Sequence, residues 1–428
     1  ILDDLLAEWQ ATFRPHLGGV RVIGHRWSPK SHQAKEFMAR NQVPYTWLDL
    51  EKEPEAARLL AQLGLESPEL PLLIFADGEC LQAPSNQEIA EKVGLQTRAE
   101  NELYDLIVVG AGPAGLAAAV YGASEGLSTL VIEREAPGGQ AGTSSRIENY
   151  LGFPSGISGG ELARRAVIQA RRFGAEILST QDVVGLVARG AYRGVVLRDG
   201  TEVGARAVVV ATGVSYRRLE VPGIEALTGA GVYYGAGMTE GQSVRGEDVY
   251  IVGGANSAGQ AAVYFAGYAR LVTMLVRADS LSTTMSHYLV ERLLATENIR
   301  IHTCTQVTGA MGNAHLEALI LTDDHTGHTA TVPASSLFIF IGARPHTEWL
   351  GKEVLRDDHG FVLAGLELMD RQGTPAWPLH RPPYPLETSV PGVFVAGDVR
   401  QGSIKRVASA VGEGSIVVQF VHRYLAEV

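Results

Sequence analysis

The chain has 428 residues, 46% of them hydrophobic and 19% charged, with 49 glycines and a net charge of −11. That length exceeds one ordinary core, so two or three domains are expected, and the lack of any basic block argues against nucleic acid or an anionic membrane as the main partner. No apolar run approaches the ~18 residues of a membrane span and no charged-then-apolar leader is present, so a cytoplasmic address is expected.

The chain opens at Ile1 in a helical pattern, Leu2, Leu5, Leu6 and Trp9, which predicts an N-terminal helix over 1–17 and further sequence upstream. Next, "VRVIGHRWSPKSH" gives a strand and a turn over Trp27, Ser28, Pro29, Lys30 and Ser31, followed by the helix "SHQAKEFMARNQ". Strand "PYTWLDLE", helix "PEAARLLAQLG" and strand-bearing "ELPLLIFADGECLQ" complete a unit over 18–98, with Pro71 ahead of the last strand. This succession resembles a glutaredoxin, a thioredoxin-like domain. The resemblance implies a cis proline at Pro71 and cysteines where Ser28 and Ser31 stand. A serine hydroxyl forms neither a disulphide nor a thiolate nucleophile, so the unit is expected to serve as a docking or dimer surface. The chain's two cysteines, Cys80 and Cys304, sit in no Cys-x-x-Cys and read as isolated reduced thiols packed as small apolar groups.

Residues 104–135, "YDLIVVGAGPAGLAAAVYGASEGLSTLVIERE", carry the strongest signal. A buried strand runs into Gly110-x-Gly112-x-x-Gly115, an Ala-rich helix and a second strand ending at Glu133. That is a dinucleotide-binding unit with its pyrophosphate at the helix N-terminus and its acid placed for a ribose hydroxyl. A second such unit, "VYIVGGANSAGQAAVYFAGYARLVTMLVR", spans 249–277, but Ala255 replaces the middle glycine and its methyl points toward the pyrophosphate path. Two units suggest two nucleotides.

From residue 103 onward the chain resembles low-molecular-weight thioredoxin reductase, within the pyridine nucleotide-disulphide oxidoreductase superfamily of two-dinucleotide-domain flavoproteins. The resemblance rests on "PGGQAGTSSRIENY" (137–150), "VVVATGVSYRRLEVPG" (208–223), "LFIFIGARPHT" (337–347) and "GVFVAGDVRQGSIKRVASAVGEG" (392–414), besides the glycine turns. It implies an α/β fold: after the thioredoxin-like unit come an FAD domain over 103–218 and 347–428 and an NAD(P)-binding-like domain over 219–346. FAD contacts carried over are Gly110, Gly112, Pro113, Ala114, Gly115, Glu133, Arg134, Gly139, Gln140, Asn149, Val183, Ala211, Thr212, Gly213, Gly397, Asp398, Lys405, Arg406 and Val407. Asp398 is expected at the ribityl chain and Lys405–Val407 at a helix N-terminus that stabilises negative charge on the flavin. A homodimer is implied as well.

The family's Cys-x-x-Cys is missing. Gly235 and Met238 stand about where its cysteines would be, and neither carries electrons as a thiolate does. Tyr233 and Tyr234 beside the gap read as packing residues or as rings that stack on the flavin. The nicotinamide site, drawn from Gly253, Asn256, Ser257, Ala258, Arg277 and Gly342, retains one arginine of the family's three for a 2′-phosphate. Val276 offers no acid for a ribose, so NADH held weakly, another nucleotide, or nothing is expected there. His325 and His328 read as solvated residues of a polar turn, not as metal ligands. The Pro-rich insertion 377–392 reads as surface packing or an interface loop. Together with the N-terminal unit it resembles bacterial fusions with a receiver or cyclic-nucleotide domain upstream.

Two functions fit these readings. One is an FAD-dependent oxidoreductase whose flavin passes electrons to a quinone, oxygen, a second flavin or a one-electron partner. The other is a flavin-loaded regulatory or interaction module with little turnover.

Overall fold

A computed structural model describes residues 19–144, 147, 149–234, 244–369 and 377–428. The expected helix over 1–17 and the positions Gly235 and Met238 lie outside the described residues.

The N-terminal unit is a four-stranded sheet ordered Tyr45–Asp49, Val20–Gly24, Leu72–Ile74, Cys80–Gln82, its first pair parallel and the others antiparallel. Helix Pro29–Arg40 begins two residues before the expected Ser31: Ser28 takes the extended N-cap conformation and its hydroxyl accepts the Ser31 N–H at 3.3 Å. Proline at the first helical position costs nothing there, because its missing N–H would have lacked an intrahelical partner. Helix Asn86–Lys92 starts with a reciprocal capping box between Ser85 and Glu88. The Leu70–Pro71 peptide is cis.

Residues 96–104 then run along the edge of the next sheet, held by one carboxylate. Glu176 accepts from the Gln96 amide at 2.8 Å, from the Glu100 N–H at 2.8 Å and from the Tyr104 hydroxyl. Burial and Glu176 together push the Tyr104 hydroxyl up to about 12.

The next sheet stacks five parallel strands, Glu176–Leu178, Thr129–Ile132, Leu103–Val109, Glu202–Val210 and Val393–Val395. Such near-continuous Val/Ile/Leu runs belong to parallel strands buried on both faces. The long strand Glu202–Val210 also forms an antiparallel meander with Tyr192–Leu197 and Val183–Arg189. Helices Pro113–Ser124 and Val407–Leu425 cover one face in direct backbone contact: a Cβ added to Gly414 would lie 2.1 Å from the Ala114 carbonyl oxygen.

The second nucleotide-type unit repeats this plan, with a parallel sheet ordered Val232–Tyr234, Ser336–Ile339, Asp248–Val252, Leu271–Leu275, Ile299–His302. Its own meander is Thr305–Met311, Ala318–Asp323, Thr329–Pro333. Both passages between the two units run through one small antiparallel pair, Val214–Tyr216 with Ala343–Pro345. No helix among the described residues is long and apolar enough to cross a membrane.

Candidate functional site

The first glycine turn and the segment Pro137–Gly142 face each other with little but backbone between them. A Cβ on Gly139 would lie 3.0 Å from the Gly112 Cα, and one on Gly112 would meet nothing closer than 4.0 Å. Gly115 allows helix to touch strand turn, since a Cβ there would fall 1.8 Å from the Gly110 carbonyl oxygen. Helix Pro113–Ser124 has Gly112 as its N-cap and no side-chain cap, which leaves its first N–H groups for an anion.

At the far end of this cleft Glu133 is 9% exposed and accepts the Ala111 N–H at 2.8 Å and the Glu135 N–H at 2.9 Å. Burial raises its pKa against those N–H groups and the nearby Arg40 guanidinium. A side-chain-free cradle at a helix N-terminus beside a buried acid suits a dinucleotide: the turn for the pyrophosphate, Glu133 for the adenosine ribose. The donor set therefore fits FAD.

The remaining positions divide in what they do. Asp398 is partly buried, and burial lifts its carboxyl above the ordinary range against the pull of Lys405. The turn that carries it is organised by Glu413, a residue the motif reading passed over. Glu413 accepts the Gly397 N–H at 2.7 Å and an Arg400 Nη2 proton at 2.7 Å. Lys405 and Arg406 are exposed, with the Lys405 ammonium 4.4 Å from the Phe361 ring centre, and Arg406 is the N-cap of helix Val407–Leu425. Val183 packs its side chain into the strand core, and Asn149 is exposed.

Gln140 Nε2 donates to the Val214 carbonyl at 3.3 Å, and the Thr212 hydroxyl donates to the His346 carbonyl at 2.7 Å. Ala211 and Gly213 thus lie where the chain departs for the second unit and returns from it, the His346 N–H donating back to the Gly213 oxygen at 3.1 Å. Burial and Arg134, whose Nη2 is 3.3 Å from the His346 ring, hold that imidazole's pKa below its ordinary value.

The second turn has the same backbone plan and different surroundings. Ala255 is the exposed N-cap of helix Asn256–Ala266, which again lacks a side-chain cap. The segment after strand Leu271–Leu275 reaches back across it. The Thr284 hydroxyl donates to the Gly254 carbonyl at 2.8 Å and the Ser286 N–H donates to Asn256 Oδ1 at 2.7 Å. Val276 is 2% exposed and Arg277 is exposed. Ala258 is fully buried behind the turn, Ser257 is exposed, and the Gly342 carbonyl accepts the Arg217 N–H at 2.8 Å.

Neither Thr284 nor Ser286 is visible as a site residue in the sequence, because nothing local marks a loop that folds back over 30 residues. Cys304, expected to be isolated, has its Sγ 3.1 Å from His325 Nε2, and His325 is exposed as expected.

The serine-bearing turn of the N-terminal unit faces this second unit. Trp27 stacks on His315 with ring centres 4.9 Å apart, His32 lies 4.9 Å from the Tyr233 ring, and Arg26 pairs with Glu247 at 2.8 Å. Pro29 comes so close to Gly229 that a Cβ there would sit 2.9 Å from the proline Cα. Ser31 is fully buried. Tyr233 also stacks on Phe338, and the Tyr234 hydroxyl accepts the Leu219 N–H at 2.9 Å, so both rings are packing and bonding residues.

The family model for pyridine nucleotide-disulphide oxidoreductases matches residues 104–414. A thioredoxin reductase of Bacillus subtilis (strain 168) is 34% identical over 334 residues, 77% of this chain and 96% of its own length. One of Mycolicibacterium smegmatis is 36% identical over 325 residues, 76% of this chain and 97% of its own. Among solved structures, the FR conformation of Lactococcus lactis thioredoxin reductase aligns with a TM-score of 0.67 at 28% identity, covering 76% of this chain and all (100%) of that one. T. acidophilum thioredoxin reductase aligns with a TM-score of 0.67 at 27% identity, covering 76% and 99%. The chain therefore belongs to the pyridine nucleotide-disulphide oxidoreductase family, as a thioredoxin reductase-like, FAD-binding oxidoreductase.

Proposed function

We propose that this oxidoreductase delivers its electrons to an acceptor other than a disulphide, and that its N-terminal unit is a thioredoxin-like domain kept for docking. The observation that carries this reading is the shortage of thiols: Cys80 and Cys304 are the chain's two cysteines, one in a strand of the N-terminal sheet and the other in the bend between strands Ile299–His302 and Thr305–Met311. Disulphide exchange needs an attacking thiolate and a second thiol to resolve the mixed disulphide, and no two cysteines of this chain are neighbours. At the N-terminal turn the Ser28 hydroxyl caps a helix and Ser31 is buried, so both side chains serve packing.

Bound FAD supplies the capacity to take up and release electrons in one- or two-electron steps. The chain's own contribution is to grip and screen it. Gly112 and Gly139 leave room for the pyrophosphate, Glu133 orients the ribose, and Asp398 and the Lys405–Val407 helix start take the flavin side. The positive helix end and Lys405 would stabilise negative charge gathered there. The electron donor is a nicotinamide nucleotide held weakly over Gly253–Ala258, with the exposed Arg277 as a cation for a 2′-phosphate.

A second reading, a flavin-loaded module with little turnover, is favoured by the Thr284 and Ser286 hydrogen bonds across the second glycine turn. Anaerobic titration with NADH, NADPH and dithionite, followed by flavin absorbance, separates the two. Bleaching by a nicotinamide nucleotide, with quinone or oxygen restoring the colour, is the expected result. Bleaching by dithionite alone would favour the second reading, and nucleotide-driven reduction of a protein disulphide at a steady rate would overturn the proposed acceptor.

A further inference from the structure

We propose that Arg40, a residue of the N-terminal unit, is a positioning residue for the adenosine end of the FAD cleft, acting through Glu135 on Glu133. The inference rests on the FAD assignment and adds to it a residue from outside the matched family region, which begins at residue 104.

Arg40 closes helix Pro29–Arg40, the end at which a cation suits the helix dipole. Its side chain is only 19% exposed, and its Nη1 donates to Glu135 Oε2 at 2.8 Å. The neighbouring Asn41 amide donates to the Glu135 carbonyl at 3.2 Å. Glu135 is thus held by its side chain and its backbone, and its own N–H donates to Glu133 Oε1 at 2.9 Å. With the Ala111 N–H on Oε2, that contact sets how the Glu133 carboxylate is presented to the cleft.

The charges around Glu133 are Arg40 from the N-terminal helix (itself 3.9 Å from Glu36), Arg134 and Glu135 from its own segment, and His346 just after the returning strand, which faces Glu135 and Arg134. Burial favours the neutral acid and Arg40 favours the carboxylate. A ribose hydroxyl donates more strongly to a carboxylate than to a neutral acid, so removing Arg40 both loosens the segment and biases Glu133 toward its weaker form. At its other end the same helix lies against the second unit, where Arg26 pairs with Glu247. FAD retention then depends on one contact of the docked unit, and the two ends can be tested apart.

The experiment measures FAD dissociation from full-length protein by flavin fluorescence between about pH 5 and pH 9. Arg40→Gln is expected to weaken FAD by about tenfold near neutrality, the low end for losing a hydrogen bond to a charged group. Its affinity should also fall away at a higher pH than in the wild type. Arg40→Lys should recover most of the loss. Glu135→Gln, which removes the same ion pair by another route, should share the loss near neutrality, but its affinity should fall away at a pH no higher than in the wild type, because the Glu135 charge itself raises Glu133. Arg26→Gln should leave affinity and profile unchanged. Wild-type affinity and pH profile in folded Arg40→Gln, or wild-type affinity in folded Glu135→Gln, would overturn this proposal alone, as would an equal loss in Arg26→Gln. A wild-type chain that binds no FAD would overturn the cofactor assignment as well.

Discussion

The two glycine turns share a backbone plan and differ in what surrounds them. At Gly110–Gly115 the cap residue is glycine, the strand after the helix ends in a buried acid, and the facing segment offers another glycine. At Gly253–Ala258 the cap is alanine, the corresponding strand end is the buried Val276, and a folded-back loop donates two hydrogen bonds into the turn. One backbone plan thus leaves an open approach at the first turn and a loop folded across it at the second. What separates them is a few local groups, not topology.

The largest expected effect comes from filling the first turn. Gly115→Val places carbon within 1.8 Å of the Gly110 carbonyl oxygen, so a loss of about 3 kcal/mol or more and of bound flavin is expected from thermal denaturation and absorbance. Ala258→Gly, at the matching position of the second turn, should cost only about 1 kcal/mol. Equal losses would break the comparison. Next, Glu133→Ala should weaken FAD by about tenfold or more, read by equilibrium dialysis.

Ala255→Gly makes the second turn resemble the first and should tighten NADH by about fivefold, with Thr284→Ala adding about threefold. NADH titration of flavin absorbance tests this, and an unchanged midpoint would mean that the turn binds no nucleotide. The smallest effect concerns acid stability. Arg164 and Arg165 hold the Glu161 carboxyl down to about 2, against an ordinary value of 4.5. A lowered folded-state pKa contributes stability above the ordinary value that is lost as pH falls from 4.5 toward about 2. Glu161 is one-third (33%) exposed, so solvent screening leaves about 1 kcal/mol or less. Glu161→Gln should lower the melting temperature slightly near neutrality and leave it unchanged near pH 2.

Local rules made most elements readable. Glycine spacing, the terminal acid at Glu133 and the order of strands and helices follow from short-range chemistry, and the buried strand expected ahead of Gly110 is Leu103–Val109. Helix Pro29–Arg40 starts earlier than expected because proline and a serine cap act together. What the sequence hid are pairs that only tertiary structure creates. Arg40 and Glu135 are 95 positions apart, and Arg26 and Glu247 are 221 apart. Glu413 looked like one more helix residue until its carboxylate met Gly397 and Arg400. Cys304 and His325 belong to different loops and meet at a strand turn.

Glu176, with three hydrogen bonds to residues 96–104, makes the connection between the N-terminal unit and the rest of the chain short and taut. A tethered partner meets its surface at an effective concentration of about millimolar, higher when the tether holds it close to the bound geometry. Any other protein seeking the face taken by Trp27, Pro29 and His32 would compete against that local excess at every encounter. A single half-buried carboxylate on a sheet edge thereby sets how much of an outside competitor the molecule can ignore.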